Sequence, residues 1–538
     1  MSSPAQLSGH SAEASARYRA DGLWNNRLLA DGVERAGRLR PEAVAVADNE
    51  RRLTYAQLAA AIAAGVTTLA DRGVRPGDGV VLISGNTRHG VIAYHALLRV
   101  GATAVVLDRR CGAADLHVAL DAAGGRPRVL VPVGETDRLA EPLTGAAAVI
   151  TLESFDAVGS PGAERPDTAA WAEPDRDRAG VVLFTSGTTS RPKGVVHSLN
   201  TLTAGADNLA LSAGADASAV VFLVSPLTSI TGLMQTHLAA DRHATLVLED
   251  RFEPERTLRR MNACGATLLG GAPVIAERLL RAAGAARPDS GDAGGSEARI
   301  GLRTLALGGS MLPRPLLELA TGTFGIEIAR VYGSSEAPIF SGSLPGDDRD
   351  RRLADDGALL PGSEVRIGSR HHPREGLLRG PNLFLGYLDP ADNEVAFEDG
   401  WYRTGDQLEL HDGRLTVVGR LKEVVNRNGL KISLTEIEAA LAGLPGVEEF
   451  AAFALPDSVT GERLAVAVRA ADGASVTLQQ VLDHLRAQGT ATRKLPEQVV
   501  RWDAPLPRTA SGKIARPRLV MDTPGHDSDL ATRLLGPS

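Results

Sequence analysis

Short aliphatic and β-branched runs recur along the chain as far as Tyr332, separated by longer stretches with helical spacing. Asp78–Ser84, Ala102–Leu107, Arg128–Val133, Val181–Phe184, Val220–Val224 and Thr245–Leu248 read as buried strands, and Thr267–Leu269, Thr304–Leu307 and Ile328–Tyr332 extend the series. Between two of them His89–Val100 reads as a helix closed by Gly101. Strand, helix and strand in alternation predict a largely parallel sheet covered by helices. Val44–Ala47 and Leu53–Tyr55 flank the polar turn Asp48–Arg52 and predict a hairpin, while residues up to about Ser15 read as a mobile lead-in.

After Tyr332 the pattern changes. Short runs broken by turn signals (Glu364–Ile367, Gly376–Arg379, Leu408–Leu410, Leu415–Val418) predict a small β-barrel or sheet appended to the α/β body. From Arg420 onward the spacing is α+β, with helices Leu434–Leu444 and Leu478–Gly489 and strands Glu448–Ala454, Arg463–Arg469 and Val499–Trp502. That portion is long enough to fold as a separate domain, and the stretch from Asp522 reads as a partly ordered tail.

At 538 residues the chain exceeds one hydrophobic core. Its 43% hydrophobic and 23% charged content is that of a globular protein. The net charge of −7 argues against a nucleic-acid partner, which selects a basic surface. No run is long and apolar enough for membrane insertion, and no apolar leader opens the chain. Two cysteines, Cys111 and Cys264, cannot make a disulfide framework, and the expected location is cytoplasmic.

The chemistry concentrates in Val181–Asn200, where the strand runs into Thr185-Ser186-Gly187-Thr188-Thr189-Ser190 and then Arg191-Pro192-Lys193-Gly194. Hydroxyls, bare backbone N–H groups and one lysine on a short loop form a nest for phosphate oxygens. It is not a Walker A loop, which needs Gly-Lys where Pro192 stands. Gly308-Gly309-Ser310 follows another strand, where ligands bind in open parallel sheets and glycines admit a flat ring. Tyr332-Gly333-Ser334-Ser335-Glu336 offers a ring to stack, a hydroxyl for phosphate and a carboxylate for Mg²⁺. Asp406, on the Thr404-Gly405 turn, suits ribose hydroxyls. Lys513, on the polar loop Arg508–Arg516, reads in isolation as solvated surface.

These segments, in this order, resemble the adenylate-forming superfamily of acyl-CoA synthetases, peptide-synthetase adenylation domains and beetle luciferases. The resemblance runs from about Trp24 to Leu519. Phe184–Val195 is similar to its phosphate loop, Gly308–Ser310 to its adenine turn, and Tyr332–Glu336 to its YG-x-[ST]-E motif. Tyr402–Asp406 resembles YRTGD, Gly419–Glu423 the hinge, and Leu506–Lys513 the C-terminal lysine loop. Gly376–Tyr387 resembles the segment before YRTGD.

The resemblance implies a large N-terminal region (1–418) of two α/β subdomains plus a small β-barrel. A hinge (419–423) and a mobile α+β C-terminal domain (424–538) follow. It implies an ATP-dependent acid–CoA ligase that adenylates a small-molecule acid, releases pyrophosphate, and passes the acyl group to a thiol. By position, Thr185, Ser186, Gly187, Thr188, Thr189 and Lys193 hold the β- and γ-phosphates, Ser335 the α-phosphate, and Glu336 the Mg²⁺. Tyr332, Gly333 and Gly308–Ser310 enclose adenine, and Asp406 and Arg420 take the ribose. Lys513 bridges carboxylate and α-phosphate, Lys422 is the hinge residue, and Gly429 lines the thiol channel. Ser229, Gly232, Ser310 and Pro338 line the acid pocket.

Two departures stand out. Ser190 replaces a common glycine, and Ser229 replaces the histidine of PLFHxxG, which opens the pocket to a different acid or a smaller oxyanion. Phe222–Ser225 lacks the aspartate that marks α-amino acid substrates. CoA is the expected co-substrate. A carrier-protein pantetheine is the alternative thiol, and transfer of an oxyanion such as nitrite to an amine the alternative reaction. A catalytically silent relative would lack Lys193, Glu336 or Lys513, and all three are present.

Overall fold

The computed structural model describes residues 10–124, 126–156, 175–185, 192–285, 300–309, 312, 314–427, 430–509 and 512–531. Ser186–Thr189, Ser190, Ser310 and Gly429 lie outside the described residues, as does nearly all of the polar loop 285–297.

Three sheets organise the chain. The first runs in the order Gly386–Tyr387, Lys193–His197, Val181–Thr185, Thr103–Asp108, Gly79–Ser84, Arg128–Val131 and Ala148–Thr151. Its strands are parallel from Val181–Thr185 outward, whereas Lys193–His197 returns antiparallel with Thr185 opposite Lys193. The two strands that flank residues 186–191 are therefore paired with each other.

The second sheet has a parallel half, Val44–Ala47, Thr245–Leu248, Val220–Leu223, Leu268–Gly271, Thr304–Leu307 and Glu327–Tyr332. Antiparallel strands continue it through Ser341–Gly342, Ala358–Leu359, Arg414–Arg420, Trp401–His411, Glu375–Arg379 and Glu364–Ile367. Among the described residues these last strands do not close into the expected small barrel; Ala358–Leu359 hydrogen-bonds both ways and carries the ladder onto the parallel sheet. Short turns after Tyr332 permit either outcome, and pairing across Ala358 decides it.

Both sheets share one core. Leu82, Val106 and Leu183 of the first join Leu223, Ala306 and Ala329 of the second, with Leu202, Leu209, Leu233 and Leu238 between them. The last four come from helices Leu199–Ala213 and Ile230–Arg242, each started by a serine. Ser198 accepts from Thr201 N, and Ser229 accepts from Gly232 N while donating to Pro226 O. A cap of this kind contributes about 1 kcal/mol.

The third sheet holds Leu430–Ser433, Val424–Arg427, Gly461–Ala470, Val447–Asp457, Gln498–Arg501 and Ser528–Leu530. Separate apolar clusters cover its faces, one around Val466, Ile437 and Val481 and one around Phe453, Val500 and Leu519. Two sequence expectations change. Ala12–Ala20 within the lead-in is a helix capped by Ser11, whose buried Tyr18 packs on Trp24. Ser528–Leu530 within the tail is a strand paired with Gln498–Val500.

Candidate active site

The C-terminal ends of the parallel strands place the turns that carry polar groups. After Tyr332 the chain folds back so tightly that a Cβ on Gly333 would stand 2.6 Å from Ile339 N and 2.7 Å from Ala337 O. Ser334 holds the turn, its Oγ accepting from Glu336 N and Ala337 N, both at 3.2 Å. Ser334 is thereby committed to structure, and the next residues, Ser335 and Glu336, are the ones presented. On the neighbouring strand end, a Cβ at Gly308 would collide with the Val331 carbonyl, and Gly309 takes φ of 80°. Both positions require glycine, whatever binds there.

Glu336 is buried, and its Oε1 accepts a 2.7 Å hydrogen bond from the Tyr387 hydroxyl. Among the described residues no ion pair involves this carboxylate. A buried anion without a cation is costly unless a ligand supplies the charge. Mg²⁺ fits such a donor, because it is held by one or two carboxylates together with phosphates and water. No group of three or more His, Cys, Asp or Glu among the described residues could hold a metal unaided.

Lys193, the first residue of the strand Lys193–His197, lies 3.0 Å from Asp392 and 4.7 Å from the centre of the Tyr387 ring. At the other end of the same strand His197 is fully buried. Its Nε2 lies 2.7 Å from Ser335 O and its Nδ1 3.0 Å from Thr201 Oγ1. Burial drops its pKa to about 4, so the ring is neutral and Nε2–H donates to the carbonyl.

Asp406 is buried on the strand Trp401–His411, opposite Arg420 of the adjoining strand. The Tyr332 hydroxyl donates to its Oδ2 at 2.8 Å, and Arg420 Nε stands 3.0 Å from Oδ1. That nitrogen is close but poorly aligned, leaving Oδ1 a buried acceptor without a hydrogen bond. Burial raises the Asp406 pKa, opposed chiefly by Arg420 and then by Tyr332 and Lys513. An orphaned acceptor beside a held one suits a ligand bearing hydroxyl donors.

Lys513 projects from a hairpin in which Arg508 bridges Ile514, Thr509 N donates to Lys513 O at 2.8 Å, and Gly512 takes φ of 83°. A Cβ at Gly512 would stand 3.6 Å from Val274 and 3.9 Å from Ala272, just beyond the strand Leu268–Gly271 of the N-terminal region. Lys513 is exposed to solvent; partial desolvation, then the charge of Arg420, lowers its pKa, while Asp406, Glu423 and Glu336 act the other way.

The remaining expected residues have plainer surroundings. Ser229 and Gly232 form a helix start, and a Cβ on Gly232 would collide with Pro226 O. Pro338 is held by Asn382, whose Nδ2 donates to its carbonyl at 2.6 Å. Lys422 is exposed, between Leu421, whose N–H donates to Gly405 O, and Glu423. A cleft of about 690 Å³ is lined by Val417, Leu421, Val424, Ala439 and Lys494 among others, and by none of the nucleotide candidates. Sequence reasoning missed His197, Tyr387, Asp392 and Ser334. His197 and Tyr387 stood inside quoted motifs, and only their contacts distinguish them from core residues.

Comparison with known proteins agrees with this geometry. Residues 33–388 match the AMP-binding enzyme family and residues 436–513 the AMP-binding enzyme C-terminal domain. A salicylyl-CoA synthase / salicylate adenylyltransferase from a Streptomyces species is 30% identical over 94% of this chain and 96% of its own. A 2-hydroxy-7-methoxy-5-methyl-1-naphthoate–CoA ligase from Streptomyces carzinostaticus is also 30% identical, over 94% and 95%. Among solved structures, an anthranilate CoA ligase in complex with anthranoyl-AMP superposes with a TM-score of 0.81 at 21% identity, covering 92% of this chain and 97% of that one. The chain belongs to the AMP-binding enzyme family.

Proposed function

We infer that this chain is an ATP-dependent, AMP-forming acid–CoA ligase that activates a small-molecule acid. The family match and relatives named as CoA ligases support the enzyme class and do not favour transfer to an amine or to a carrier protein. The single observation that carries the chemistry is the buried Asp406, whose Oδ2 accepts from the Tyr332 hydroxyl at 2.8 Å while Oδ1, 3.0 Å from Arg420 Nε, has no hydrogen bond from a described residue and suits a ribose hydroxyl.

The first step joins two anions, so its barrier is mainly electrostatic. Lys193 and residues 185–189 hold the β- and γ-phosphates, with Ser335 and the Gly308–Gly309 turn at the α-phosphate and adenine. Asp406, with Tyr332 fixing Oδ2, accepts from the ribose hydroxyls. Glu336 would hold Mg²⁺, which when bound would neutralise phosphate charge. Lys513 would bridge the acid oxygen and the α-phosphate and stabilise charge developing on both. As the new O–P bond forms, pyrophosphate leaves toward Lys193. In the second step the CoA sulfur attacks the acyl carbon and AMP departs.

Residues 1–418 form the adenylating part, 419–423 the hinge and 424–538 the mobile domain. Lys422 suits a hinge because its exposed side chain ties neither part to the other, and Gly429 belongs to the thiol path. The acid pocket lies between the starts of Ile230–Arg242 and the strand ends at Gly271 and Gly308, with Ser229, Gly232, Ser310 and Pro338 on its wall. Aromatic acids bearing an ortho hydroxyl are the first class to test, since both Streptomyces relatives are named for such acids. Two free cysteines suit a reducing cytoplasm, and no described helix is long and apolar enough to cross a membrane.

The test is acid-dependent pyrophosphate release, screened over aromatic and aliphatic acids with and without CoA. Acid-dependent pyrophosphate, with AMP and a thioester appearing once CoA is added, is expected. Pyrophosphate that depends on an amine or a carrier protein instead would overturn the assignment.

A further inference from the structure

Tyr387 takes no part in the scheme above, yet the fold fixes it from several sides. It is buried, and it pairs antiparallel with Val195 of the strand Lys193–His197. Asn393 grips its backbone twice, Oδ1 accepting from Tyr387 N at 2.7 Å and Nδ2 donating to Tyr387 O at 2.8 Å. The Phe384 ring meets it edge-on at 4.9 Å. A side chain held this firmly has little rotamer freedom left, so whatever it touches is held too.

What it touches is the catalytic apparatus. The hydroxyl donates to Glu336 Oε1 at 2.7 Å, and the ring face lies 4.7 Å from Lys193 Nζ. The same segment grips Glu336 a second time, since Phe384 N donates to the Glu336 carbonyl at 2.8 Å. We propose that Tyr387 is a positioning residue that sets the metal-binding carboxylate and the phosphate-binding cation relative to one another. The proposal rests on the nucleotide reading of Glu336 and Lys193 given above.

The two contacts differ in a useful way. By donating to Oε1, the hydroxyl fixes the carboxylate plane without adding charge, and Oε2 stays available to a cation. The aromatic face attracts the ammonium through its quadrupole but leaves its charge in place. Asp392, 3.0 Å from Lys193, supplies the only carboxylate in ion-pair contact with that lysine among the described residues.

Tyr387→Phe separates the roles, because it keeps the ring under Lys193 and removes only the hydroxyl. Calorimetric titration with ATP, in EDTA and in excess Mg²⁺, reads each one. ATP affinity in EDTA should match the unsubstituted chain, while the gain in affinity conferred by Mg²⁺ falls about tenfold, the scale for loss of a group that orients a metal ligand. In a Glu336→Gln background the same substitution should produce no further loss of that gain, because the hydroxyl acts through the carboxylate. An undiminished or larger Mg²⁺ gain in Tyr387→Phe would overturn the proposal. So would equal losses in both backgrounds accompanied by a lowered unfolding midpoint, which would make the hydroxyl a general structural group. Failure of the unsubstituted chain to bind ATP more tightly with Mg²⁺ would instead refute the nucleotide reading beneath it.

Discussion

His197 Nε2 lies 2.7 Å from the backbone oxygen of Ser335. That bond ties the strand Lys193–His197 to the turn that presents Ser335 and Glu336. Lys193 stands at the other end of the same strand, so the two elements proposed to hold phosphate share one member. Replacing the ring leaves a buried carbonyl without its donor, at a cost of about 1–3 kcal/mol. His197→Ala should lower stability by that amount and raise the KM for ATP more than it lowers kcat, whereas His197→Gln, which retains a donor, should recover part of both. Steady-state kinetics alongside urea unfolding checks this.

Acid should destabilise the fold through its buried histidines. Burial drops His10 and His197 to about 4, and His95 and His237 to about 3. The unfolded chain holds these protons below about 6.5, so stability is complete above that pH and is lost as pH falls toward the folded values. Each contributes a slope of up to about 1.4 kcal/mol per pH unit within its window. Asp241 opposes them, because burial raises it to about 6 and the native state binds its proton first. Urea midpoints between pH 7 and pH 5 should fall, and less steeply in His197→Gln; a flat profile would contradict the assignment of these rings as neutral.

The Tyr332 hydroxyl donates to Asp406 Oδ2 at 2.8 Å. Tyr332→Phe leaves both carboxylate oxygens of a buried aspartate without a well-aligned hydrogen bond from the protein. ATP affinity should weaken severalfold, corresponding to about 1–2 kcal/mol, and 2′-deoxy-ATP should lose less than ATP does. Equal losses for the two nucleotides would remove Asp406 from ribose recognition.

Lys422 is exposed beside the strand that carries Arg420. Proline there restricts φ at a point where a hinge must turn. Lys422→Pro should leave acid-dependent pyrophosphate release near its normal rate and slow thioester formation by about an order of magnitude or more. Parallel loss of both half-reactions would place the hinge elsewhere.

The parallel strands were legible because apolar runs such as Val80–Ile83 and Val181–Leu183 are buried on both faces and leave an unbroken hydrophobic signature. The motif residues were legible because glycine and hydroxyl clusters interrupt those runs where turns must form. Ala12–Ala20 was not, since its capping serine precedes a sequence with no apolar stripe and only Tyr18 is buried. The barrel is not confirmed: the two-residue strand Ala358–Leu359, too short to register as a strand in the sequence, carries the ladder onto the parallel sheet. Tyr387 and His197 were not singled out in the sequence. What distinguishes them is the polar atom opposite each, contributed from a distant part of the chain, and no local pattern encodes that.

Lys513 carries the central claim: its side chain is exposed on the loop after Arg508, and the charges that act on it are those of Arg420, Asp406, Glu423 and Glu336. Its lowered pKa means the cation needed for adenylation is lost on raising pH sooner than for a free lysine, and Lys513→Arg should move that alkaline limb upward. The most direct measurement is Lys513→Ala, with single-turnover pyrophosphate release set against the Kd for ATP. The expected result is a loss of two orders of magnitude or more in pyrophosphate release, about 3 kcal/mol of transition-state stabilisation, with ATP binding changed little. Pyrophosphate release at the unsubstituted rate, or a loss matched by an equal loss of ATP affinity, would contradict it.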